Sequence, residues 1–481
     1  MNAPAPSSVF YRRLDHSYRK IERGLGCWLY DNAGQRYLDA VGGAFVVNLG
    51  HGEREVADAM ARQASKLAYV NGTAFTNEPA EALAEEIVRL CPRGMDKVYF
   101  LSSGSEAVEA ALKLARQYWC SLGEPRKTKI IARSPGYHGN TLLALCASAR
   151  PHYRKIFEPW LTDVKMIPAP YSYRCPCREQ TVHRPFADIS APAAPAALFQ
   201  DRGARGAPGD IASADCPACS GSALAEMLES EDPNTVAAFL AEPVGGSSTG
   251  ASVPRPDYYR RIRKICDERK VLFIADEVLT GAGRTGVWSA LEPYGVVPDI
   301  MTLGKGIASG YAPLSAMVTS ARIVEKIARA GNFLHAQTFS HHPVSCAAGL
   351  ATIKILKRER LIERSSKMGQ VLQEKLQVLR ELPCVGDIRG RGLLAGIEFV
   401  QDKAGRTPFP RSLKITERLV DTAQDEGLVL WGNTGHADGQ NGDLIMLAPP
   451  FIITESEIDE MVNRLQTSLK KTFNEMTLIK F

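Results

Sequence analysis

Between about residues 50 and 340, short apolar runs alternate with helical patterns. The runs are "KVYFLSS" (97–103), "TKIIARS" (128–134), "TVAAFLAEPVGG" (235–246), "KVLFIADEV" (270–278), "DIMTLGKG" (299–306) and "APLSAMVTS" (312–320). None alternates apolar with polar positions. A strand with one wet face alternates, whereas a strand buried on both faces of a mostly parallel sheet reads as a continuous apolar run. Amphipathic stretches between the runs, such as "EAVEAALKLARQYW", predict helices flanking that sheet and an α/β architecture.

Past residue 345 the texture changes. Helical segments over 345–382 precede "GLLAGIEFV", "GLVLWGN" and "DLIMLAPPFI". A last helix is expected from Thr454, with Glu457 at capping-box spacing and Ile458, Met461, Leu465 and Leu469 along one face. We therefore expect a large domain over 56–340 and a smaller α+β domain over 341–481, with an N-terminal segment, 1–55, that contains a hairpin and joins the small domain. Residues 171–222 are rich in Pro, Ala and Gly and lack periodicity, which predicts a long loop or insertion in the large domain.

Composition narrows the classes. A chain of 481 residues exceeds what one core usually serves, in line with two domains. With 45% hydrophobic and 23% charged residues and a net charge of only +5, nothing favours a nucleic-acid partner. No secretory signal or membrane span is expected. Eleven cysteines, most set singly in apolar surroundings such as Cys91, Cys146 and Cys346, suit buried thiols in a reducing cytoplasm.

The chemistry gathers where strands end. In open α/β sheets ligands sit at the carboxyl ends of strands, and Ser103, Glu242, Asp276 and Lys305 all fall at or just past such ends. Ser103 and Glu106 have capping-box spacing. Gly104 lets backbone N–H groups at a helix start approach a phosphate. Asp276 closes an apolar strand, where a carboxylate is costly without a cation or strong donors. Lys305 stands between Gly304 and Gly306. An aspartate that keeps a pyridine nitrogen protonated, with a lysine that forms an imine, is what a pyridoxal phosphate site requires. In "SPGYHG", Tyr137 can stack on such a ring. "GAGRTG" (281–286) matches a dinucleotide fingerprint in form but is not followed by a good helix start. Cys175, Cys177, Cys216 and Cys219, with His183 between the pairs, have a spacing that zinc can use. Thiols in a loop, without metal, are the preferred reading.

Taken together, "YLDAVGGAFVVNLGHG", "FLSSGSEAVEAALKLAR", "SPGYHGNT", "FLAEPVGG", "VLFIADEVLTGAGRTG", "DIMTLGKGIASGYAPLSA", "HAQTFS", "IRGRGLLAGIEF" and "LAPPFIIT" resemble the class III pyridoxal-phosphate aminotransferases, of fold type I. They stand in the family's order from about residue 25 to 470. The resemblance implies that Lys305 forms the internal aldimine and shuttles the Cα proton, and that Asp276 pairs with the pyridinium nitrogen. It further implies Gly104 and Ser105 at the phosphate, Tyr137 and Val278 on the two ring faces, and Glu242 beside cofactor and substrate. Thr338 would reach the phosphate from a neighbouring subunit, hence a homodimer with its site at the interface, possibly paired into a tetramer. By position in the matching motifs, Ala44, Phe45 and Ser247 line the substrate pocket.

Many relatives carry an arginine just before "APP" that grips a substrate carboxylate. Here that stretch is "GDLIMLAPP", and the loop before it offers His436 instead. Relatives also often have "SGNP" where this chain has "SHHP" (340–343). The expectation is a cytoplasmic transaminase that moves an amino group from an amine or ω-amino acid to a 2-oxo acid such as pyruvate or 2-oxoglutarate. A lyase or racemase of the same family is the alternative. A nicotinamide-dependent oxidoreductase using "GAGRTG" and a catalytically silent binding protein are the readings from other classes.

Overall fold

A computed structural model of the chain describes residues 7–14, 16–175 and 216–476, so Cys177 and His183 lie outside the described residues. The chain begins with an antiparallel meander of β1 (Ile21–Leu25), β2 (Trp28–Asp31) and β3 (Arg36–Asp39). Next come β4 (Lys97–Leu101), β5 (Lys129–Ser134), β6 (Lys165–Pro168), β7 (Val236–Ala241), β8 (Leu272–Asp276), β9 (Ile300–Leu303) and β10 (Ser315–Thr319). These form a seven-stranded sheet in the order β4-β10-β9-β8-β7-β5-β6. The five strands from β9 to β6 are parallel, while β10 runs antiparallel to both of its neighbours.

Period-2 patterning is present in the apolar runs but hidden by composition, because both faces are covered. In β8, Leu272 and Ile274 pack with Ala107, Ala111 and Leu114 of the helix Gly104–Ser121. Phe273 and Ala275 pack on the other side with Tyr259 and Ile262 of the helix Tyr258–Glu268. The α/β architecture read from the sequence is the one observed. The sequence reading had no counterpart for β6, a short strand on the edge of the sheet that ends in proline and carries no long apolar run.

The C-terminal region contains β11 (Val385–Gly390), β12 (Ala395–Phe399), β13 (Leu428–Val429), β14 (Trp431–Thr434) and β15 (Asp443–Leu447). Four of these make an antiparallel sheet, β11-β12-β15-β14. The remaining strand, β13, pairs parallel with β3 and so attaches the N-terminal meander to this end of the chain. Leu38 and Leu49 share a core with Leu372, Ile397, Ile458 and Leu465. The last helix, Glu455–Glu475, starts at a full capping box: Thr454 Oγ1 accepts from Glu457 N at 3.2 Å, and the Glu457 carboxylate accepts from Thr454 N at 2.8 Å.

Both ends of the Pro/Ala/Gly-rich insertion are more ordered than its composition suggests. A 3-10 turn spans Ser172–Arg174 and a short helix spans Pro217–Ser220. Aromatic burial and one ion pair explain the first: Tyr171 and Tyr173 are buried, and Arg174 Nε donates to Glu398 at 2.6 Å.

The "GAGRTG" segment does not lead into a helix; residues 278–285 form consecutive turns and 286–289 a bend. Its arginine, Arg284, is buried at 1% exposure and serves as a three-way clamp. It donates to Asn48 Oδ1 at 2.6 Å, to the Leu393 carbonyl at 3.0 Å and to the Pro449 carbonyl at 2.6 Å, above the Phe451 ring. Arg284→Leu would leave these buried acceptors unpaired, and charge-assisted hydrogen bonds contribute about 1.5–3 kcal/mol each. A loss of at least ~3 kcal/mol is expected in denaturant unfolding. A variant within ~0.5 kcal/mol of the parent would show that the clamp is dispensable.

Candidate active site

Strands β4, β5, β7, β8 and β9 deliver polar groups to their carboxyl edge of the sheet. From β9 the chain passes Gly304 into a single 3-10 turn, Lys305–Ile307, with Lys305 itself at φ +46°. That left-handed backbone is costly for a residue with a Cβ and persists only where the surroundings enforce it. Gly306 is part of the enforcement, since a Cβ there would lie 2.1 Å from Asn48 Nδ2. Only glycine lets Asn48, held by Arg284, press against the lysine turn.

Lys305 is half-buried, and its Nζ lies 5.3 Å from the centre of the Phe45 ring. Loss of water by burial pushes its pKa down from the ordinary 10.5 to about 8; Asp276 and Glu242 oppose the shift, while Arg150 and Arg284 add to it.

Asp276 ends β8 and is buried at 5% exposure. Its Oδ1 accepts from Val278 N at 3.1 Å and from Thr302 Oγ1 at 3.2 Å. Its Oδ2 lies 2.7 Å from Nδ1 of His138, a buried imidazole on the turn after β5. The His138 Nε2 is also buried and has no hydrogen-bond partner among the described residues.

After β4, Ser103 caps the helix Gly104–Ser121: its hydroxyl accepts from Glu106 N at 3.3 Å, and Glu106 accepts from Ser102 N at 3.0 Å. The Gly104 and Ser105 N–H groups have no partner among the described residues. A Cβ on Gly104 would lie 2.6 Å from Val278 Cγ1, so the helix start sits directly beneath that side chain. Ser105 Oγ exchanges hydrogen bonds with Asn140, binding the helix start to the turn that carries Tyr137 and His138.

Glu242 follows β7. Its carboxylate accepts from Gly246 N at 2.9 Å and from Tyr137 N at 3.4 Å. The guanidinium of Arg150 lies 4.9 Å from the centre of the Tyr137 ring. It donates to Ser248 Oγ at 2.9 Å and also to Ser247 Oγ. Phe45, at φ +64°, stands edge-on to Trp431 with ring centres 5.4 Å apart and packs in one apolar cluster with Met446.

This arrangement has counterparts in known proteins. Residues 10–469 match the class III aminotransferase family. The chain belongs to it. An uncharacterised aminotransferase of Schizosaccharomyces pombe is 38% identical over 475 residues, covering 96% of this chain and 95% of the relative. A diaminobutyrate–2-oxoglutarate transaminase of Halomonas elongata is 35% identical, covering 95% and 92%. Among solved structures, an omega transaminase of Pseudomonas jessenii in complex with PMP superposes at a TM-score of 0.84. It is 29% identical, with 99% of this chain and 98% of the other covered.

Within this class III aminotransferase, the residues singled out by sequence have distinct placements. Lys305, Asp276, Glu242, Gly104, Ser105, Tyr137, Val278, Phe45 and Ser247 are linked through the contacts described above. Ala44 is half-buried beside Phe45. Thr338 is exposed, on a segment whose neighbour Gln337 reaches Ser102 Oγ at 3.5 Å. Sequence reasoning missed Arg150. The reading looked for an arginine before "APP", where β15 instead places the buried Met446 and Leu447. No spacing rule marks "SARPHYR", and only the fold carries Arg150 to Ser247. Thr302 was missed too, as one threonine within an apolar run.

The depressed lysine pKa has a consequence for stability. Below about pH 8 Lys305 is protonated in both states, and the folded state bears a desolvated ammonium. Between about 8 and 10.5 the unfolded chain binds the extra proton, so the contribution of this group to stability rises with pH. In cofactor-free protein, Lys305→Met is expected to raise the melting temperature near pH 7, with the advantage shrinking towards pH 10. Melting curves across that range check this, and an advantage independent of pH would contradict it.

Proposed function

We propose that this aminotransferase uses pyridoxal 5'-phosphate to move an amino group from an amine or ω-amino acid to a 2-oxo acid such as pyruvate or 2-oxoglutarate. The observation that carries the reading is Lys305: a strained, half-buried lysine whose ammonium is disfavoured by burial and favoured by Asp276 and Glu242. The donor set fits the cofactor. The unengaged N–H groups of Gly104 and Ser105 suit a phosphate, Asp276 suits a ring nitrogen, and Tyr137 and Val278 suit the two faces of a ring. The PMP complex of the Pseudomonas jessenii enzyme supports the same choice.

When bound, the cofactor supplies an electron sink that makes the C–H bond next to the amine acidic. The remaining work falls to the chain. Lys305 Nζ, with a pKa near 8, is the base that moves the proton at the substrate carbon bearing the amine. Asp276 keeps one orientation because His138, Thr302 and the Val278 N–H hold both of its oxygens. Phe45, Trp431 and Met446 form an apolar wall that excludes water. Arg150 offers a guanidinium to the carboxylate of an ω-amino acid or 2-oxo acid, releasing Ser247 and Ser248 as it does so.

The proposed assembly is a homodimer. Phe339 and Leu334 stand exposed on the segment of Thr338, and Phe339 meets the exposed Tyr69 edge-on. A second copy would cover these apolar side chains and bring its own Thr338 to the phosphate site. We also propose the division into a large domain (56–340) and a small domain (341–481), with residues 1–55 as an N-terminal segment that joins the small domain, and a cytoplasmic location. No helix among the described residues is long and apolar enough to cross a membrane.

Two measurements test the reading. Purified protein is expected to carry lysine-linked cofactor absorbance that Lys305→Ala abolishes, with turnover falling at least ~10²-fold. A panel of amines with and without pyruvate or 2-oxoglutarate should show conversion only with an acceptor. Acceptor-free release of ammonia would refute transamination. Arg150→Gln is expected to raise KM for the 2-oxo acid by about 10- to 100-fold and to leave simple amine donors nearly unaffected. Equal losses for both substrates would remove Arg150 from carboxylate binding.

A further inference from the structure

The aminotransferase chemistry makes no use of the insertion, yet the structure gathers three of its cysteines. Cys175, Cys216 and Cys219 place their sulfurs within 4.8 Å of one another. Cys175 Sγ lies 3.2 Å from Cys216 Sγ and 2.8 Å from Cys219 Sγ. Cys175 is buried at 4% exposure and Cys219 at 7%, with Cys216 half-buried. Ala218 packs in one apolar cluster with them. We propose that these three cysteines bind a zinc ion as thiolates and pin together the two ends of the insertion.

Local geometry prepares each side. "CPAC" is a ligand spacing in which one helical turn puts both sulfurs on the same side. Here that turn is Pro217–Ser220, in which Ser220 N donates to the Cys216 carbonyl at 2.9 Å. The turn ends at Gly221, in the left-handed region at φ +82°, where an added Cβ would crowd Tyr258 and Ile262 at 3.2 Å. The knuckle is therefore seated on the helix Tyr258–Glu268. Cys175 comes from the opposite side, directly after the 3-10 turn that Arg174 anchors to Glu398. The two sources lie 41 and 44 positions apart in the chain, so their convergence is tertiary and does not follow from local sequence.

The chemistry selects the ion. Thiolates about 2.3 Å from a tetrahedral zinc have sulfur–sulfur edges of ~3.8 Å, so a zinc ion would open the 3.2 and 2.8 Å contacts of Cys175 slightly as it enters. Soft thiolate ligands disfavour magnesium and calcium. Each thiol gives its proton to solvent as the metal–sulfur bond forms, with no change in oxidation state. One further donor, such as a water, closes the tetrahedron. The site is remote from catalysis in role but continuous with the substrate pocket in structure. Glu398, which holds Arg174, also pairs with Arg389, and Arg389 donates to the Thr249 carbonyl in the loop of Ser247 and Ser248.

The test uses full-length protein purified without chelators, added metal or a metal-affinity tag. Elemental analysis is expected to find about one zinc per chain, released in step with mercurial titration of the thiols. Cys175→Ser and Cys219→Ser should each lose the metal, whereas Cys120→Ser, at an exposed position on another helix, should retain it. Because a variant can lose metal by misfolding, the titration of unmodified protein carries equal weight. Zinc below about 0.1 per chain with freely reactive thiols would overturn the proposal. So would iron with acid-labile sulfide in place of zinc, or a disulfide between any two of the three cysteines.

Discussion

The geometry of the proposed active site depends on a buried arginine that touches no candidate reacting group. Arg284 joins the turns after β8 to Asn48 in the N-terminal segment and to two carbonyls of the C-terminal region. A guanidinium is costly to bury, and its cost is offset only where its fork meets acceptors on several sides. Three distant stretches of chain must therefore converge for the arginine to be tolerated at all. Their convergence places Asn48 against Gly306 and so sets the backbone of Lys305. Phe45, three residues before Asn48, closes the wall beside the lysine.

Around that anchor, the site is a balance between desolvation and charge. Lys305 loses water, which disfavours its ammonium, while Asp276 and Glu242 favour it. The result is an amine that is easily deprotonated yet close to carboxylates, the condition a proton-moving lysine needs. Farther out, Glu398 is fully buried. Burial opposes its ionisation, but His436, Arg389 and Arg174 hold its carboxyl well below the usual range. His436, which the loop before "APP" offers in place of an arginine, thus pairs with a buried glutamate. That network joins the small sheet to Tyr171 and to the loop of Ser247, so the insertion and the pocket rim share one electrostatic support.

Much of this was legible in the sequence because the signals were local. Lys305, Asp276 and Ser103 each sit at the end of an apolar run, and a parallel sheet brings such ends to one edge. The capping box at Thr454 needs only four consecutive residues. Arg150 was not legible, because it lies on a segment without a motif and meets Ser247 only when β5 and β7 become neighbours. The edge strand β6 escaped for a similar reason: half-exposed and ending in proline, it lacks the apolar run that marks the central strands. Equally, nothing local could show that Cys175 meets Cys216 and Cys219.

By itself, then, the sequence determined the alternation of buried strands and helices, the polar residues at their ends and the family to which they belong. These follow from hydrophobic periodicity and from chemistry confined to a few adjacent positions. The tertiary structure alone decided which polar groups meet: Arg284 with Asn48, Arg150 with Ser247, Glu398 with two guanidiniums and an imidazole, and three cysteines with one another. Such pairings depend on burial and on contacts between residues far apart in the chain, and no spacing rule encodes either.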